Sequence, residues 1–313
     1  MATSLRFLIS LLTLVAGYSA SACLNSYSRT DQVPRSGDSL RLSFFLNAPD
    51  KTSLPYWHHG FANQGLEAEL NRFKKQDFSK LSCRDKSDLA VLQLKNGDKK
   101  EALRILQELY IQHPKEYNIV ANLGTAYELN GDKAKALEFI KKAMVLNPGA
   151  HHASEWIHER ILEQQLTDSP DYTKVINLGI KNFQEWLIDK SYKFPGEADS
   201  LKVQIAYQLH ERIGFTAAPD KVIGQLVVDF ADIIAKTENK KTAYQFYEFA
   251  LKYDPSLQKL IEDRVQNVQS EVKTVNDTFR WASIVWAIPL MALIVVFIAW
   301  FRGMRQNKQK AKK

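Results

Sequence analysis

Apolar residues fall into three patterns along this chain of 313 residues. Unbroken apolar runs lie at both ends: Leu5 to Ala16, and 281–301, WASIVWAIPLMALIVVFIAWF, which carries no charge over 21 residues. From Leu257 onward, Ile261, Val265, Val268, Val272, Val275 and Phe279 follow in alternating steps of four and three, the heptad spacing of one helix face. Between these patterns the chain repeats itself. LKNGDKKEAL (94–103) and LNGDKAKAL (129–137) superimpose at an offset of 34, pairing Gly97 with Gly131, Asp98 with Asp132, Ala102 with Ala136, Leu103 with Leu137 and Pro114 with Pro148.

The repeat has a physical reading as stacked helical hairpins. Gly131 supplies the left-handed residue that ends one helix. Asp132 caps the next by accepting a backbone N–H. Gly124 and Ala136 are small where two antiparallel helices approach, Tyr127, Ile140 and Ala143 fill the space between hairpins, and Pro148 breaks the second helix. The stretch 117–148, with Leu123-Gly124, Tyr127, Gly131, Ala136, Ala143 and Pro148, resembles a tetratricopeptide repeat, whose period is 34 residues. Looser copies lie at 83–114, with Gln93 where an aromatic is usual, and at 224–255, with Phe230-Ala231, Ala243, Tyr247, Ala250 and Pro255. In the third copy the turn lacks glycine, and Asn239 takes the left-handed place. The chain is also similar to bacterial membrane-anchored tetratricopeptide proteins. The resemblance implies an α-solenoid over 81–255 and a concave groove where partners bind. In 117–148 the groove positions are Asn118, Ala121, Asn122, Thr125 and Glu128. A cationic clamp for a C-terminal carboxylate, used by some members, is not matched: Asn122 fits, but Ser87 and Val91 in the preceding repeat do not.

The flanks are read more coarsely. Residues 23–80 are mostly irregular, with 40–47 read as a short strand or an extended segment and a short helix, Glu67–Lys75, before the first repeat. Helices are predicted at 150–166, 171–190 and 198–213, broken at Pro170, Pro195-Gly196 and Pro219. The heptad over 256–280 suits a coiled-coil stalk, or a last helix capping the solenoid with one apolar face.

Charge and the terminal runs set the expected topology. Residues 1–22 end in Ala20-Ser21-Ala22 and read as a secretory signal with an A-x-A cleavage site. At about 1.5 Å per residue, 281–301 spans roughly 30 Å, the thickness of a bilayer core. The formal net charge is +7, of which Arg6 and the six cations of 302–313 account for all, so the body between is neutral. A neutral body offers no electrostatic footprint to nucleic acid, and the cationic tail fits a cytoplasmic end. The expectation is a single-pass cell-membrane protein with a periplasmic or extracellular body. Cys23 and Cys83 are candidates for a disulfide, ahead of free thiols and of a lipidated Cys23.

Candidate chemistry is sparse. On a continuous helix, His151, Glu155 and His158 share a face, a donor set that could hold zinc; solvated or hydrogen-bonded histidines at a helix start are the plainer reading. His58-His59 beside Tyr56 and Trp57 is a second cluster, read as a loop packed by aromatics. No G-x-S-x-G elbow, phosphate loop or CxxC is present, so no enzyme and no cofactor are expected. The function expected is a membrane-anchored scaffold that holds protein partners in the groove on the non-cytoplasmic face. Alternatives are a metal-binding or metal-dependent protein using His151, Glu155 and His158, or a structural subunit that self-associates through 256–301.

Overall fold

The computed structural model describes residues 24–27, 63–213, 216–238 and 240–269. The described elements are all helical. They begin with α1 (Asn63–Lys74), a 3-10 turn (Phe78–Lys80), and two hairpins, α2 (Cys83–Asn96) with α3 (Lys99–Gln112) and α4 (Tyr117–Leu129) with α5 (Lys133–Leu146). A one-turn segment, Ala150–Ala153, leads into α6 (Glu155–Gln165), followed by the short α7 (Thr173–Ile176) and α8 (Phe183–Ile188). Then come α9 (Ala198–Ile213), the hairpin α10 (Lys221–Thr237) with α11 (Lys240–Tyr253), and α12 over 258–269.

The hairpins form for local reasons. Ser82 accepts a bond from the Asp85 N–H at the start of α2, and Asp132 accepts one from Lys135 at the start of α5. Gly97 and Gly131 sit at φ 91° and 90°, where a side chain would be strained. The bonds Asp98 N–H to Gln93 O and Asp132 N–H to Tyr127 O then close the two turns in the same way. A Cβ at Gly124 would stand 2.9 Å from Ile140 Cδ1, so this glycine is what lets α4 lie against α5.

Two apolar cores result. One gathers α1 to α5 and includes Leu24; the other gathers α6 to α12. Helix α6 belongs to both, with Leu162 in the first and Ile157 and Ile161 in the second. Ile261 and Val268 on α12 are buried against the second core, and Arg264 pairs with Asp232 of α10 at 3.2 Å. The helix expected over 171–190 is broken instead. Asn177 and Gly179 take positive φ after α7, and α8 starts anew with Asn182 capping Glu185. Lys236 of α10 donates to the carbonyls of Trp186 and Asp189, compensating the C-terminal end of α8.

Among the described residues, no helix is long and apolar enough to cross a membrane. The longest, α10, has 17 residues and carries Asp229, Asp232 and Lys236. This corrects the expected fold class and localisation. What stands is an all-α domain with solenoid-like helix packing, with no transmembrane helix, membrane partner or single-pass periplasmic topology assigned to it. The segments behind that expectation, 1–22, 281–301 and 302–313, lie outside the described residues, as do 40–47, His58-His59 and the stalk from 270 onward. So does Asn239 in the third turn. Cys83 is a free thiol, and Cys23 lies outside the described residues.

Candidate functional site

Side chains from α2, α4, the Ala150–Ala153 turn and α9 converge on residues 24–27. Of the groove positions expected from sequence, Asn118 is half-buried, while Ala121, Asn122, Thr125 and Glu128 are buried. The chain itself accounts for part of that burial. Residues 24–27 lie in the groove, with Leu24 at 0% exposure and Asn25 at 8%.

The occupant is held mainly by its backbone. The Asn25 N–H donates to Asn122 Oδ1 at 2.7 Å, and Asn122 Nδ2 donates back to the Asn25 carbonyl at 2.8 Å. One carboxamide thus satisfies both polar groups of one peptide residue, as a neighbouring strand would. Asn122 is itself held by Ser87, whose Oγ accepts from Nδ2 at 3.3 Å. Two residues further on, the Tyr27 N–H donates to Asp88 Oδ1 at 2.7 Å. Asp88 stands 34 residues before Asn122, at the equivalent position of the preceding hairpin. Successive hairpins therefore grip alternate residues of the occupant.

Side chains complete the grip. The Tyr27 hydroxyl donates to Glu116 Oε1 at 2.8 Å, and Arg84 lies 5.4 Å from its ring centroid. Burial, with the Glu116 carboxylate, pushes the Tyr27 phenol far above its ordinary range. The Leu24 N–H donates to Glu211 Oε2 on α9 at 3.4 Å. The Asn25 side chain meets His151, whose Nε2 is 2.8 Å from Asn25 Oδ1.

His151 is presented by an unusual backbone. His151, His152 and Ala153 have φ of 52°, 58° and 58°, three non-glycine residues in the left-handed region in a row. Such residues cost roughly 1–2 kcal/mol each. The surroundings that hold the turn include the Tyr207 ring, stacked on His151 with centroids 4.8 Å apart, and the Glu155 carboxylate at His151 Nδ1. The single helix expected from 150 to 166 is therefore divided, the left-handed turn ending at Ala153 before α6 begins.

His151, Glu155 and His158 do come together, as links in a buried ionic chain. His158 Nε2 is 2.7 Å from Glu128 Oε2, its Nδ1 is 3.6 Å from Glu155 Oε2, and Arg212 Nη1 is 3.8 Å from Glu128 Oε1. Burial alone would raise the Glu155 carboxyl, but His151 and His158 outweigh it and hold the group well below the usual carboxylate range. Burial likewise works against a charged His158, and Glu128 overcomes it, so that imidazole is raised. Both His151 nitrogens and His158 Nε2 are engaged instead with Glu155, Asn25 and Glu128. Among the described residues, no group of three or more His, Cys, Asp and Glu side chains is arranged to hold a metal ion. This corrects the metal-binding and metal-dependent alternative.

Sequence reasoning places Asn122 and Glu128 on the groove but misses Asp88, Glu211, Arg212 and the occupant. The offset of 34 that leads from Asn122 to Asp88 is the one signal that reaches any of them.

A scan against protein-family models finds no match, and searches of curated proteins and of solved structures find none either. The tetratricopeptide keyword is corrected accordingly: a helical-hairpin architecture is shown, and no family assignment accompanies it. The scaffold expectation, with outside proteins seated in an open groove, is corrected too. The groove carries the chain's own Leu24–Tyr27, and no membrane-spanning helix exists among the described residues to anchor it.

Proposed function

We propose that this domain is a clamp acting in cis, a non-catalytic helical module whose concave face holds an extended segment of its own chain. The observation that carries the reading is the paired bond between the Asn122 carboxamide and both backbone polar groups of Asn25. One hairpin earlier Asp88 accepts the Tyr27 N–H, a single bond to the same strand of chain. Leu24, fully buried in the first core, adds an apolar anchor of roughly 2–3 kcal/mol. Such a clamp fixes where the N-terminal segment runs, and controls whether that segment is available to anything else.

The test is Asn122→Ala, followed by hydrogen exchange of the Asn25 and Tyr27 amides. Each lost bond is worth about 1 kcal/mol net, so two lost bonds should lower protection by roughly ten- to thirtyfold, while the helical circular dichroism stays unchanged. Protection of Asn25 equal to that of the native chain would refute the clamp.

A further inference from the structure

We propose that His151 selects what the clamp holds, and does so as an imidazolium, so that docking of Leu24–Tyr27 takes up a proton. The proposal rests on the cis-clamp reading above and extends it to specificity and regulation.

Backbone bonds cannot choose a sequence. Asn122 and Asp88 grip N–H and C=O groups that almost any residue supplies. Choice must come from side chains, and the most deeply placed polar one is Asn25, 8% exposed. Its Oδ1 is 2.8 Å from His151 Nε2, and its Nδ2 has no partner among the described residues. The His151 ring is thus the group that reads this side chain.

Both ring nitrogens face oxygen acceptors: Nε2 faces the Asn25 side-chain carbonyl oxygen, and Nδ1 faces Glu155 Oε1. A neutral imidazole has one N–H and can satisfy only one of them. Satisfying both needs a hydrogen on each nitrogen, which is the cation. The surroundings on every packed element bear on this charge. Glu155 and His158 lie on α6, Glu128 and Tyr117 on α4, and Tyr207, His210, Glu211 and Arg212 on α9. Asp88 of α2 and Glu116, just before α4, hold the occupant two residues away.

The ring is also held in place to do this. It stacks on Tyr207 and stands on three successive left-handed residues, a backbone strain of the kind that collects at working sites. With Leu24–Tyr27 undocked, Nε2 faces water, which can donate to a neutral ring as well as accept from a charged one. Docked, it faces an oxygen that only accepts, as Nδ1 already does, so the neutral ring is the form that docking leaves unsatisfied. The docked state therefore binds the proton more tightly. By linkage, docking strengthens as pH falls and weakens as pH rises through the titration of His151.

The experiment is hydrogen exchange of the full chain, read at the Asn25 and Tyr27 amides between about pH 5.5 and 8.5 and corrected for intrinsic exchange. Protection should fall about tenfold for each unit by which docking shifts the imidazole. Asn25→Asp presents a carboxylate to the imidazolium, so docking should persist and its loss should move to higher pH. Asn25→Leu, of similar size with no acceptor, should lose protection at all pH values. These variants alter the occupant and leave the helical body untouched, which circular dichroism verifies. A flat native profile, or Asn25→Asp docking no better than Asn25→Leu, overturns the proposal and makes the ring a neutral acceptor of the Asn25 amide. An absence of protection in the native chain at every pH sinks the cis clamp itself.

Discussion

Asp229 is a carboxyl in the wrong medium. It is 5% exposed on α10; Gln225 donates to one oxygen at 2.9 Å, and the other oxygen has no partner among the described residues. Burial raises this carboxyl well above its usual range, and the Gln225 bond and Arg264 do not offset burial and the nearby Asp232. Asp232 itself is pushed up to about 6, because burial outweighs Arg264 and the Tyr247 hydroxyl. A raised carboxyl contributes stability that is fully present below its unfolded pKa and is lost as pH rises through the folded value. At neutral pH Asp229 is therefore a burden, and an asparagine in its place would keep the contact to Gln225 without it. Asp229→Asn should raise the melting temperature by a few degrees at pH 8, about 1 kcal/mol or more, and change it little at pH 4. Thermal scans at the two pH values check this; an equal shift at both would refute it. The same scale shows what a sequence conceals. Asn122 is identifiable as a concave-face residue because the repeat has a period, but its partner Asn25 is 97 residues away, with no local pattern to announce it.

At the scale of elements, legibility follows how local the cause is. The α2–α3 and α4–α5 hairpins are readable because a glycine, an aspartate at the N-cap position and a proline mark each one within a few residues, although only Asp132 of the two aspartates makes the side-chain cap bond. The stretch from 150 to 190 is not. Its periodicity suggests long helices, yet His151–Ala153 and Asn177 adopt left-handed backbone, the former beneath the distant Tyr207 ring, which no local pattern announces. In the third hairpin the small residue that matters is Gly224. A Cβ there would lie 2.6 Å from Asp254 Cβ and 3.3 Å from the Asp254 backbone nitrogen. Neither atom can swing away as a side-chain tip would. Alanine gains up to about 1 kcal/mol of helix propensity, but forcing the Asp254 turn off α10 costs about 1–3 kcal/mol. Gly224→Ala should therefore destabilise on balance, lowering the urea midpoint with the slope unchanged. An increase in the midpoint would show that the turn yields freely.

For the whole molecule, the decisive feature is that two apolar cores meet across a charged seam. Glu155, His158, Glu128 and Arg212 are all buried where α4, α6 and α9 come together, and α6 is the helix common to both cores. A seam of this kind makes the union of the halves depend on pH. Glu155 is depressed by His151 and His158 against the effect of burial, so its contribution is present above its unfolded pKa and lost as pH falls through the lower folded value. His158 is raised by Glu128 against the effect of burial, so its contribution is complete below its unfolded pKa and lost as pH rises through the higher folded value. With unfolded values of about 4.3 and 6.5, both contributions are complete together only between roughly pH 4.5 and 6.5. The seam's own contribution to thermal stability should be greatest in that window, superimposed on the decline with pH that Asp229 and Asp232 impose. His158→Gln should lie lower throughout, because Glu128 loses its nearer cationic partner and keeps only Arg212 at 3.8 Å, and its stability should decline less steeply than the native chain above pH 6.5. Parallel native and variant curves on the alkaline side would remove His158 from the seam and leave the joining of the two cores to apolar contact across α6.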